Sequence, residues 1–329
     1  MPSSMTHTYF GKDVYNSLNN ECKNLIKNDL EYFKLFCQGA DPFMFYHFMV
    51  GRKAQKVRDI QALMHKNKTQ DFFISTVKYI HDNKLGNNGK AMAYLFGYMC
   101  HYYLDMYVHP FIYYKGGIYK RKDKTTYKYN GVHQKIEYAI DLYLIEKREK
   151  VKAKDFKVYK AIFDVNGLDD DLKGLIDYSI GKVYDIDNIS FYYEKSIRDM
   201  KSFFRYVNQD KYGIKGQFYK LFDYIMHDRF IKIEELSFNK RYDKEIDNYL
   251  NIDKKEWCCP FDDKVKYNSS FFDLYDKALK NSVNSIQVVA EMLKKDKLDE
   301  KELKKIFRNL SFVTGIDCKR KVSLKYFEF

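Results

Sequence analysis

A long apolar run in the first third of the chain carries three ionisable side chains at one regular interval: His101, Asp105 and His109. Steps of four residues advance only about 40° around an α-helix, so the three project from one face, a turn apart. The rest of the run includes Tyr94, Leu95, Tyr98, Met99, Tyr102 and Leu104. That pattern predicts a buried helix over Lys90–Val108 that stops at Pro110. Burying an unpaired carboxylate and two imidazoles there costs roughly several kcal/mol. A divalent cation removes the cost, because it takes N and O ligands converging in a dry, fixed geometry. The next predicted helix, Val132–Arg148, repeats the device, with His133 and Glu137 four apart and facing inward. The competing reading is of buried histidines satisfied by neighbouring carboxylates alone.

Only 4 prolines and 15 glycines interrupt the 329 residues, too few for a sandwich of many short strands, and the 45% of hydrophobic residues suffice for a substantial core. The expected fold is all-α. Asp13–Phe36 reads as one amphipathic helix, with Val14, Leu18, Cys22, Leu25, Ile26, Leu30 and Phe33 at spacings of three and four and Gly39 closing it. Helical patterns follow at Lys56–His65 and Thr69–His81, then near 155–163, 168–183, 187–207, 217–234, 242–251, 269–295 and 300–309. No internal repeat and no Gly/Ser/Pro linker divides the chain, so residues 1–329 read as a single helical domain. The nearest thing to a boundary, Glu256–Phe261, is apolar and aromatic and suits packing against a core.

A net charge of +13 suggests anionic partners: phosphate esters, nucleic acid or an acidic membrane surface. A Lys-rich, soluble surface is the plain alternative. The start, Met1 to His7, lacks a basic region followed by an apolar core, so no secretory leader is visible. Ala91–Cys100 is far short of the ~20 residues a spanning helix needs. The six cysteines show no CxxC spacing and two are adjacent, which excludes a disulfide framework. A reduced, cytoplasmic protein is expected.

Three further ligand candidates lie upstream: His7, Asp41 and His65. Each alone is equally well an ordinary surface or capping residue. Their order, followed by HxxxDxxxH and then HxxxE, resembles the zinc-dependent phospholipase C family, whose helical fold is shared with fungal single-strand-specific nucleases. The resemblance covers about residues 1–150, and beyond them only helical character and the stretch Trp257–Phe272 agree. It implies a phosphoester hydrolase that uses two to three zinc ions to activate water. His65, His101 and Asp105 would hold one ion, with Asp41 close by to orient or deprotonate the water. His109, His133 and Glu137 would hold a second. His7 and Asp105 would hold a third, completed by a free N-terminal amine, here that of Pro2 once Met1 is removed. The secreted relatives have a tryptophan at that terminus. The gap from Asp41 to His65 is long for the family, which leaves His47 a rival for the His65 position.

The resemblance also implies an anionic phosphoester substrate, with a phospholipid headgroup among the candidates. No transmembrane segment and no stable nucleic-acid partner are expected, and peripheral membrane contact is compatible with the charge. The loop from Tyr113 to Gly131 lies between two proposed ligands and carries Lys120, Arg121 and Lys122 among interleaved tyrosines. It reads either as a lid that gathers anionic substrate or as a solvated loop. The alternatives are a single-strand nuclease or nucleotidase on the same scaffold and a non-catalytic, metal-stabilised binding protein. An HD-type phosphohydrolase built on His81-Asp82 and His227-Asp228 leaves the paired-helix motif unexplained.

Overall fold

The computed structural model describes residues 4–48, 51–225, 234, 237 and 244–328. The helices are α1 Ser4–Ser17, α2 Asn20–Ile26, α3 Leu30–Phe36, α4 Arg52–Lys66, α5 Thr69–Asp82, α6 Gly89–Gly116 and α7 Val132–Glu149. They continue as α8 Val158–Ile162, α9 Asp170–Ile176, α10 Ile189–Phe203, α11 Ile214–Ile225, α12 Ile246–Leu250, α13 Phe271–Lys294 and α14 Glu300–Ile306. Among the described residues the one sheet is an antiparallel hairpin of β1 Trp257–Cys259 and β2 Asp262–Tyr267. The fold is all-α. No described helix is long and apolar enough to cross a membrane.

Helix α6 is the spine. Its 28 residues are apolar on almost every side and buried along nearly the whole length, as expected of a helix surrounded by others. Helices α1, α3, α7 and α13 pack around it. It does not stop at Pro110 but runs on to Gly116. Proline removes only its own N–H and crowds the carbonyl four residues back, so the helix survives where that carbonyl finds room. Here Gly315 passes against it: a Cβ at that position would stand 2.8 Å from the Met106 oxygen, and φ is +67°. The chain leaves the helix at Gly117, about two turns beyond the proline.

The stretch predicted as one helix from Asp13 to Phe36 is three. The Asn19 side chain accepts from the Cys22 N–H at 2.9 Å, which starts α2 afresh, and α3 restarts after Asp29. The apolar spacing survives both breaks because Val14, Leu18, Cys22, Ile26 and Phe33 all face the same core. Gly97 of α6 lets α3 come close: a Cβ there would lie 2.7 Å from the Phe36 carbonyl carbon and 2.9 Å from the Cys37 nitrogen.

The aromatic stretch around Trp257 forms β1 and packs on the spine. Trp257 is buried against Phe111 and Tyr114 and donates its indole N–H to the Ser269 carbonyl at 3.0 Å. After α14 an irregular strap returns across the molecule. Phe312 N–H donates to the His65 carbonyl, Lys325 and Tyr326 N–H to that of Pro260, and Glu328 N–H to that of Tyr114.

Gly97→Ala should wedge α3 from α6 and cost about 1–3 kcal/mol, the usual penalty of overpacking a tight contact. Denaturant unfolding of parent and variant measures it. An unchanged midpoint would show that α3 yields without loss.

Candidate metal centre

Eight side chains from five segments meet beside the spine. Helix α6 contributes His101, Asp105 and His109, one turn apart on one face, and α7 contributes His133 and Glu137 in the same way. Helix α1 contributes His7, α4 contributes His65 from its last turn, and the short 3-10 turn Asp41–Phe45 contributes Asp41. All are buried except His133, which is half-buried.

Asp105 is the hub. Its Oδ1 lies 3.2 Å from His7 Nε2, while Oδ2 lies 3.2 Å from His65 Nε2, 3.3 Å from His101 Nε2 and 3.5 Å from His109 Nδ1. Asp41 Oδ1 is 3.5 Å from His65 Nε2. Glu137 Oε1 lies 3.1 Å from His133 Nε2 and 3.5 Å from His109 Nε2. Three groups result, each with donor atoms within 4.8 Å of one another: His7, His101 and Asp105; Asp41, His65 and His101; His109, His133 and Glu137.

The hydrogen bonds behind these rings fix their tautomers. His65 Nδ1 is 2.9 Å from the Gln61 carbonyl, His101 Nδ1 3.2 Å from that of Cys37, and His109 Nδ1 2.8 Å from that of Phe312. A carbonyl only accepts, so each Nδ1 holds a proton, and in the neutral ring Nε2 is the atom that presents a lone pair to the interior. Those lone pairs face carboxylate oxygens, and the Nε2 atoms of His65 and His101 face each other at 3.3 Å. Buried His7 Nδ1, Asp105 Oδ2, His133 Nδ1 and Glu137 Oε2 have no hydrogen-bond partner. Lone pairs directed at one another in a dry place repel unless a cation stands between them. Neutral imidazoles anchored through the far nitrogen, together with carboxylates, are the donor set that zinc takes. The residues fit it.

The electrostatics agree. Burial lowers the His101 pKa to about 3, with Asp105 pulling the other way, so the ring is neutral at pH 7. Burial works to raise the Asp105 and Glu137 carboxyls, but adjacent histidines outweigh it, His109 and His101 for Asp105 and His133 for Glu137. Asp105 ends well below the usual carboxylate range and Glu137 at about 2, and both are charged at neutral pH. For His109, burial lowers the pKa while Asp105 and Glu137 raise it, with a net rise.

Three supporting features escaped the sequence reading. Gln61, one turn before His65, donates from Nε2 to Asp41 Oδ1 at 3.0 Å. Phe312, far downstream, supplies the carbonyl that anchors His109 and sets its ring, tilted, against His65, while Ser311 Oγ donates to the His65 carbonyl. Asp141, one turn past Glu137 on α7, accepts from Met5 N, Thr6 N and Thr6 Oγ1 at 3.1, 2.7 and 2.6 Å. It caps the first turn of α1 from another helix and so sets the position of His7. Burial pushes its pKa up to about 7, against those three donors. The i+4 continuation from Glu137 was its only signal.

His47 does not reach the centre. Its ring is exposed, its backbone sits at φ +42°, and its N–H bonds Asp199, so His65 occupies the position the two contested. His81 is part of a surface ion-pair group with Asp82 and Asp296. Pro2, His227 and Asp228 lie outside the described residues.

A cavity of about 1150 Å³ opens over the centre, with Gln61, His65, His109, Tyr113 and His133 in its lining. Lys120 lines it as well, but Arg121 and Lys122 are exposed and do not. The loop that holds them is a folded segment: Lys124–Tyr129 forms a 3-10 turn capped by Asp123, and Thr126 Oγ1 accepts from Lys120 N. Arg320 and Lys321 of the strap supply two more cations to the wall. Lys115, in the same Tyr113–Gly131 stretch, is buried in an ion pair with Glu328 at 2.6 Å.

Asp141→Ala removes the acceptor of three buried or partly buried donors, each costing about 1–3 kcal/mol when left unmade. A thermal midpoint several degrees lower is expected. An unchanged midpoint would mean that α1 is held elsewhere.

Residues 6–186 match the family described as zinc dependent phospholipase C. Searches of curated proteins and of solved structures gave no match. The matched span covers more than half of the chain and contains every member of the three donor groups, from His7 to Glu137. The protein belongs to the zinc-dependent phospholipase C family.

Proposed function

We propose that the protein hydrolyses phosphoesters, in the manner of a phospholipase C, with two to three zinc ions. One observation carries the reading: three histidines, each anchored through Nδ1 to a main-chain carbonyl, direct Nε2 into a buried group of carboxylates under a large cavity. His65 and His101 with Asp41 would hold one ion, His109, His133 and Glu137 a second, and His7 with Asp105 a third. Asp105, whose two oxygens face different histidines, would be shared between ions. Bound zinc supplies water activation and charge stabilisation at the phosphoryl oxygens.

The chain's own groups do the rest. Burial opposes the ionisation of Asp41, but nearby positive charge, to which the His101 and His65 rings contribute, holds the carboxyl well below its usual range. It is therefore a carboxylate able to take a proton from water, with Gln61 fixing its orientation. Lys120, Arg320 and Lys321 on the cavity wall offset the negative charge of a phosphoester. The substrate is then an anionic phosphoester, a phospholipid headgroup or a nucleotide. Turnover on a panel of phosphodiesters and phosphomonoesters separates the two and tests the enzyme reading against that of a metal-stabilised binding protein.

Elemental analysis of purified protein should find more than one zinc per chain, and Asp105→Ala should lose more than one ion. A content of one or less in the wild type, with zinc supplied, overturns the multinuclear assignment. Asp41→Asn keeps the shape and an oxygen but removes the base. Its kcat should fall about 10²–10⁴-fold while most of the zinc remains. Near-normal turnover in that variant would leave Asp41 a structural residue.

A further inference from the structure

Helix α11 is amphipathic in the reverse of the usual sense. Ile214, Phe218, Leu221 and Ile225 recur at i, i+4, i+7 and i+11, within a stripe roughly 60° wide. Each is more than half exposed. The opposite face holds the helix to the protein. Gly216 is buried there with its N–H on Asp210 Oδ2 at 2.7 Å, and Tyr219 donates its hydroxyl to the Val207 carbonyl at 3.0 Å. A surface helix normally turns its apolar stripe inward. This one turns it out.

The surroundings say what would cover it. Tyr212 and Tyr224, the two most exposed aromatic residues described, stand at the two ends of the stripe. Tyr206, also largely exposed, lies beside the first turn, where Lys215 Nζ bonds its carbonyl at 2.8 Å. Exposed Lys211 lies just before the helix, and exposed Lys220 lies on its side, away from the stripe. An apolar stripe ended by tyrosines, on a helix with lysines nearby, matches the boundary between acyl chains and anionic headgroups. The net charge of +13 attracts the same surface. A second copy of the chain fits less well. The helix has 12 residues, so it is about 18 Å long and about 10 Å wide, far below the roughly 800 Å² per partner of a stable dimer.

The geometry points to α11 as a docking helix that lies in the surface of an anionic lipid bilayer. The docking stands on this helix alone. It deepens the proposed function by holding the chain at a surface of lipid phosphoesters, and it is read by binding rather than by turnover.

Co-sedimentation of the full chain with phosphatidylcholine vesicles, with and without phosphatidylglycerol, tests it. Binding is expected on the mixed vesicles, weaker on phosphatidylcholine alone, and weakened by salt. The double variant Phe218→Glu/Leu221→Glu should bind at least about tenfold more weakly. Both side chains are exposed, so its zinc content and thermal midpoint should match the parent's. Equal binding by parent and variant, or no binding by either, overturns the proposal. A dimer seen without lipid in the parent and lost in the variant overturns it in favour of a second copy. Vesicle binding without hydrolysis of any phosphoester would keep the docking helix and reject the enzyme reading.

Discussion

The Asp105 carboxylate is the interaction on which the rest depends. It is charged, buried and surrounded by imidazoles from three helices. A buried carboxylate is tolerated only when its surroundings compensate it. Here imidazoles converge on it from α1, α4 and α6, so the position of each helix answers to one side chain. Glu137 repeats the arrangement on a smaller scale between α6 and α7.

Histidines can serve this purpose only in one tautomer, and the backbone selects it. The carbonyls of Gln61, Cys37 and Phe312 come from within a helix, from the end of one and from an irregular strap. Each therefore converts a packing relation into a ligand orientation. The close approach of α3 at Gly97 places the Cys37 carbonyl against His101, and the strap places that of Phe312 against His109. Loss of such an outer partner typically weakens metal affinity 10–100-fold.

The side-chain part of this centre was legible in the sequence, because the i, i+4 spacing of His101, Asp105, His109, His133 and Glu137 is itself the geometry. His7, Asp41 and His65 had order but no local geometry, which is why His47 could compete. What stayed hidden was the backbone. A carbonyl acceptor such as that of Phe312 has no sequence signature, and Asp141 caps a helix more than a hundred residues away. The breaks at Asn19 and Asp29 hid for a related reason: apolar spacing reports which face is buried, not whether the helix is continuous. Pro110 misled because tolerance of a proline depends on what passes its free carbonyl, and that neighbour, Gly315, belongs to the far end of the chain. In α11 apolar spacing carries no sign, since a stripe facing solvent and one facing a core read alike.

Folding and metal binding are therefore one problem in this chain. The carboxylates and the lone pairs of the neutral histidines lie within hydrogen-bond range without enough protons to pair them. Bringing them together opposes folding, and each cation bound there returns that cost as folding free energy. Because Asp105 approaches members of all three donor groups through its two oxygens, the cost is shared among them. The strap adds the last constraint, since Phe312 both accepts from His109 and donates to the His65 carbonyl. A segment with little regular structure of its own thus ties a histidine of one donor group to a histidine of another.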